Sequence, residues 1–243
     1  MWPKITLNYS PNFNLPKRTK KKIKFIIIHY TGMKKESEAI ERLCDDKSKV
    51  SSHYFIRKDG TILRLVPDLY EAWHAGKSKW KKTNFLNKKS IGIEIHNTGH
   101  KFKYEKFSLK QMNSLKKLIK KLIKIYNINP INILGHSDIS PDRKKDPGEK
   151  FPWKSLAKIK LAYWHSLSEK KLRPKRLKKL TKIENKRFLK NLYSLGYKKI
   201  NKFNFKLNRK YLILAFQRRF RQSLINGKSD QECYLISKNL LKS

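Results

Sequence analysis

Two histidines and one aspartate stand where strand-like runs give way to loops, and they are the residues here best suited to chemistry. His29 ends the run KFIIIH, His136 follows INILG, and Asp146 lies in SPDRKKDPG. Two imidazoles and a carboxylate are a hard-to-borderline donor set that suits Zn²⁺, and three protein ligands leave the fourth position a catalytic zinc needs for water. The spacing does not by itself bring the three together, because the chain has seven histidines. Glu94 interrupts the apolar run IGIEI. A carboxylate is costly to bury unless something uses it. On a two-residue period it shares a face with Gly92 and opposes Ile91, Ile93 and Ile95. An edge position facing solvent, or an ion pair with a lysine, would account for it equally.

These side chains need a scaffold, and the hydrophobic pattern predicts a mixed α/β one. Short β-branched or aromatic runs predict strands near 24–29, 53–57, 61–66, 90–95 and 131–134. Asp59 and Gly60, set between two of these runs, signal a hairpin. A short helix is expected over 37–43. Ser108 and Gln111 form a capping box that opens a helix with apolar residues at Met112, Leu115, Leu118, Ile119, Leu122, Ile123 and Tyr126. Asn127 and Pro130 stop it. The hairpin demands antiparallel pairing and the long helix allows a parallel crossover, so the sheet should be mixed.

From about Leu167 the composition turns basic and loses large apolar residues, which reads as a linker over 166–182 between a domain at 1–165 and a smaller one at 183–243. The latter carries three helical patterns. The first contains Phe188, Leu192 and Leu195 and is closed by Gly196. The second contains Leu212, Phe216 and Phe220, and the third opens on a capping box at Ser229 and Glu232.

The 243 residues carry 60 Lys and Arg against 18 Asp and Glu, a net charge of +42. Scattered lysines alongside abundant Asn and Ile fit AT-rich coding. A polyanionic partner, bound weakly and in a salt-sensitive way, is the other reading. No nucleic-acid-binding motif accompanies the charge, so no specific nucleic-acid partner is expected. Cys44 and Cys233 form no CxxC and are expected as free or buried thiols. No run is long enough for a transmembrane helix and no signal peptide is visible, so the cytoplasm is the expected compartment, with the periplasm or cell wall, reached by another route, as the alternative.

FIIIHYTG, VSSHYFIRKDGTILRLVPDLYEAWHAG, IGIEIHNTG and GHSDISPDRKKDPGEKFPW occur in that order. Together they closely resemble the type 2 N-acetylmuramoyl-L-alanine amidases, AmpD/AmiD-like zinc enzymes related to the peptidoglycan recognition proteins. The resemblance covers residues 9–156. It implies a central mixed sheet flanked by helices, with Zn²⁺ bound by His29, His136 and Asp146. Glu94 and Lys144 would be catalytic, and Trp73, His74, Gly76 and Asn97 would line the substrate cleft. Where phage-type members have a tyrosine before the second-block histidine, this chain has Ser52, which shifts proton transfer toward Glu94.

The implied substrate is peptidoglycan or its muropeptide fragments, cut between the muramoyl lactyl group and L-alanine. A non-catalytic recognition module is the alternative. The segments FLKNLYSLGY, LILAFQRRFRQ and NGKSDQECY resemble a three-helix peptidoglycan-binding domain. His53 is expected to be structural, and Arg143 a solvated charge.

Overall fold

The computed structural model describes residues 5–199 and 204–242. In chain order its strands are β1 (Ile5–Leu7), β2 (Phe13–Asn14), β3 (Phe25–Tyr30), β4 (Tyr54–Ile56), β5 (Ile62–Arg64), β6 (Glu71–Ala72), β7 (Lys79–Trp80), β8 (Thr83–Asn84), β9 (Ser90–Ile95) and β10 (Ile133–Gly135). The helices are α1 (Glu36–Cys44), α2 (Leu109–Tyr126), α3 (His136–Ile139), α4 (Trp153–Lys158), α5 (Glu169–Leu172), α6 (Lys182–Leu195), α7 (Phe205–Phe220) and α8 (Gln231–Leu240).

The main sheet runs β1-β5-β4-β9-β3-β10. Only β4 and β5 pair antiparallel in it, across the Asp59–Gly60 turn, and its other neighbours are parallel. This is the mixed α/β architecture expected from the sequence.

Strand alternation divides the molecule. Ile26 and Ile28 of β3, Ile91, Ile93 and Ile95 of β9, and Ile133 of β10 face one side, where Leu115, Leu118, Ile119 and Leu122 of α2 cover them. The Ser108–Gln111 box caps α2 in both directions, at 3.1 and 3.0 Å, and Gln111 Nε2 reaches His96 O at 2.7 Å.

The other face is covered in two patches. Phe25, Ile27, Leu134 and Ile139 pack in one cluster with Phe188, Leu192, Phe216 and Ile236 of the C-terminal helices. Phe55, Leu63 and Leu65 pack with Ala39 and Leu43 of α1. Between these patches lies a strip of polar residues: His29, His74, Ser90 and Glu94.

The stretch 166–182, read from composition as a linker, carries α5. Its Leu172 is buried within the C-terminal cluster, and Arg176 bonds Glu232 and Glu169 at 2.7 Å each. The final helix is capped by Asp230, which accepts from Cys233 N at 2.9 Å. Ser229, expected as the cap, instead donates to Asn185 at 2.9 Å, while Asp230 also pairs with the buried Arg221. Cys44 and Cys233 are free thiols. Among the described residues no helix is long and apolar enough to cross a membrane.

Candidate active site

His29 and Glu94 sit at the C-terminal ends of two adjacent parallel strands and are register partners, so both point to the polar strip. His136 opens α3 directly after β10. Asp138 fixes that turn by accepting the Gly135 N–H at 2.8 Å. Asp146 returns from the loop beyond α3, where its carbonyl accepts the Ser137 N–H at 2.9 Å.

The outcome is a tight triangle. His29 Nδ1 and His136 Nδ1 are 2.9 Å apart, and each is 3.1 Å from Asp146 Oδ2. Among the described residues this is the group of side chains able to hold a metal ion. Points on a triangle with edges near 3 Å can all lie about 2 Å from one centre, the length of Zn–N and Zn–O bonds. His136 Nε2–H donates to Ala75 O at 3.2 Å, which leaves its Nδ1 lone pair for the centre. The donor set therefore fits a zinc ion in both geometry and chemistry.

The electrostatics agree. Burial, helped by the neighbouring His136, lowers His29 to about 4, so the ring is neutral at pH 7. Burial alone would raise the Asp146 carboxyl. His136 and His29, through charge and hydrogen bonds, outweigh this and hold it well below the usual carboxylate range. Glu94 goes the other way. Burial, then the nearby Asp146 charge, pushes it up to about 8, with Lys144 opposing. Its side chain is partly open to the cavity, yet Oε2 is out of solvent and has no hydrogen-bond partner.

All five residues, Lys144 included, line one cavity of about 940 Å³. It extends from the triangle toward Arg42 and Glu38 on α1 and toward the loop of His100 and Phe102. Its walls carry Lys34, Arg42, Lys101, Arg143, Lys144 and Lys145 against Glu38, Glu94 and Asp146, an excess of positive charge.

Of the residues assigned to the cleft by resemblance, Trp73 lines it, with Nε1 donating to Asn14 at 2.9 Å. His74 also reaches it, but is buried behind His29 at 3.0 Å. Gly76 and Asn97 are not among the lining residues. A side chain at Gly76 would meet Arg143. Asn97 is buried and its amide is used locally, donating to Glu105 O at 3.1 Å and accepting Gly99 N–H at 3.0 Å.

Ser52 is buried and bonded to Tyr54 O at 3.0 Å, away from the cavity. His53 is structural, accepting the Gly92 N–H at 2.9 Å. Arg143 is not the free charge expected: it clamps Lys77 O at 2.9 Å and Ser140 Oγ at 3.1 Å. Sequence reasoning passed over His100, which bonds Tyr30 and Glu149 at 2.9 and 3.1 Å on the cavity wall. It also passed over Arg42 and Glu38, whose only signal was a charged face on a short helix.

A family model described as N-acetylmuramoyl-L-alanine amidase matches residues 19–149. The chain is 36% identical over 233 residues to N-acetylmuramoyl-L-alanine amidase AmiD of Escherichia coli K12, covering 91% of this chain and 83% of that protein. The solved complex of E. coli AmiD with anhydro-N-acetylmuramic acid-L-Ala-D-γ-Glu-L-Lys superposes with a TM-score of 0.81 at 32% identity, over 94% of this chain and 92% of that one. AmpDh3 of Pseudomonas aeruginosa, in complex with anhydromuramic pentapeptide, gives 0.79 at 28% identity, over 96% of each chain. With the fold, the donor triangle and the sequence in agreement, this chain belongs to the N-acetylmuramoyl-L-alanine amidase family and is an amidase.

Proposed function

We propose that this amidase is zinc-dependent, that His29, His136 and Asp146 hold the ion, and that anhydromuramyl peptides are among its substrates. One observation carries the reading. Three donor atoms converge within 3.1 Å of one another in the cavity that also holds the partnerless oxygen of Glu94. Zinc bound there supplies Lewis acidity toward water and toward the lactyl carbonyl.

The protein's own groups carry the protons. Glu94 takes a proton from the attacking water in its ionised form, which the positive charge of a bound ion would favour over the protonated form of the metal-free site. Its raised affinity for that proton then suits it to protonate the L-alanine nitrogen, a poor leaving group when unprotonated. Lys144 offsets the negative charge that develops on the carbonyl oxygen. The buried environment strengthens each of these interactions.

Both AmiD and AmpDh3 were solved with anhydromuramyl peptides, and the cationic walls here suit the carboxylates of such stems. A purely recognising module is disfavoured because all three donors and Glu94 are present together. We read 1–165 as the catalytic unit and 183–243 as a helical unit seated on it.

Mass analysis of a defined anhydromuramyl peptide and of polymeric wall, with and without chelator, tests this reading. Release of intact stem peptide, lost with chelator and restored by zinc, is the expected result. Cleavage that persists in metal-free enzyme would exclude the zinc role, and no release from the anhydromuramyl peptide would exclude that substrate.

A further inference from the structure

Behind the donor triangle lies a second row of buried polar groups whose hydrogens can be assigned by elimination. Leu86 O can only accept, and Ser90 Oγ lies 2.6 Å from it, so the serine hydroxyl donates there. Ser90 Oγ is 3.1 Å from His74 Nε2 and must then accept, which puts the His74 proton on Nε2. His74 Nδ1 is left with a lone pair, 3.0 Å from His29 Nε2. His29 therefore carries its proton on Nε2, and its Nδ1 lone pair faces His136 and Asp146.

The packing is specific for this ring. Gly92, on β9 beside it, has no room for a side chain, since a Cβ there would stand 2.4 Å from His74 Cγ. His53, bonded to Gly92, packs against the ring too, edge-on at 5.6 Å. Both His74 nitrogens are committed, so neither is left to bond substrate.

We propose that His74 is a positioning residue for the metal centre, holding His29 in the tautomer and orientation that ligate the ion, with Ser90 setting the direction of the chain. The inference rests on the zinc reading above. Outer partners of metal-bound histidines raise metal affinity by fixing the ring and its tautomer.

The test compares zinc dissociation constants, from chelator competition, for the parent, His74→Leu, His74→Asn and Ser90→Ala, together with KM for each. The His74→Leu change should weaken zinc by roughly 10- to 100-fold. In His74→Asn the amide oxygen can stand in for Nδ1, so affinity should return to within a few-fold of the parent. Ser90→Ala should weaken zinc to a smaller degree, and KM should hold throughout.

Parental zinc affinity in His74→Leu, or loss in His74→Asn as great as in the leucine variant, overturns the proposal. So does a raised KM with zinc affinity unchanged. If the leucine variant does not fold, Ser90→Ala decides, and parental affinity there overturns the proposal. Failure of the parent itself to bind zinc would remove the zinc reading and this one together, whereas a zinc-binding parent with indifferent variants would remove this one alone.

Discussion

His29 and Glu94 occupy matching register positions on neighbouring parallel strands, which places the acid beside the triangle of His29, His136 and Asp146 without making it a corner. Glu94→Gln keeps shape and volume but cannot take a proton. Turnover of a defined muropeptide should fall by roughly 10²- to 10⁴-fold, while zinc content by elemental analysis stays at the parental level. Undiminished kcat would remove Glu94 from the mechanism.

The same carboxyl predicts a pH signature in the metal-free protein. Its folded-state affinity for a proton is raised to about 8 from an ordinary 4.5. Between those values the folded state holds a proton that the unfolded state has released, so stability falls as pH rises through the window. The melting temperature of Glu94→Gln, compared with metal-free parent, should be similar below pH 4.5 and increasingly higher up to pH 8. Parallel curves from pH 4 to 9 would contradict the assignment.

Arg219 of α7 ties the C-terminal helices to the segment that carries His136. Its guanidinium lies 3.4 Å over the Trp153 ring, donates to Ile133 O at 3.0 Å, and stands 3.7 Å from Asp138. Asp138 in turn bonds Tyr197 at 2.9 Å and caps the turn before His136. Arg219→Ala leaves a buried carboxylate without its cation and should cost roughly 3–5 kcal/mol. Denaturant titration measures this, and a loss below about 1 kcal/mol would show that the contact is incidental.

The cationic cavity walls predict salt-sensitive capture of an anionic stem. Raising ionic strength shortens the reach of exposed charges to a few ångströms. KM for a muropeptide with free carboxylates should therefore rise severalfold between low salt and about 0.5 M, with kcat little changed. An amidated stem should show a flatter response, and equal slopes for the two would separate the charge from substrate binding.

Much of this was legible in the sequence because burial leaves a period. The alternation of Ile91, Ile93 and Ile95 against Gly92 and Glu94 gave both the strand and the face of the acid, and α2 matches its expected 109–126 span. Elements such as β2 and β6, two residues each, are too short to carry a pattern and exist because they pair with each other. Roles set by distant partners were hidden too. Asn97 follows the acid's strand and so resembled a substrate contact, but its amide is used by Glu105, on a loop whose path no local rule gives. Arg143 looked solvated because its acceptors, Lys77 O and Ser140 Oγ, meet it only through the fold. His74 sits among residues without period, and its place between His29 and Ser90 emerges only when β3 and β9 lie side by side.

The donors themselves are supplied by segments that are remote in the chain: His29 is separated from His136 by 107 positions and from Asp146 by 117. A nascent polypeptide lacking its second half has one of the three, and a collapsed chain with the wrong strand order has them scattered. On the zinc reading proposed above, uptake of the ion would report completed topology, and a partly synthesised or misassembled copy would be a poor scavenger of it. Hydrolytic capability would in this way arrive only with the finished architecture.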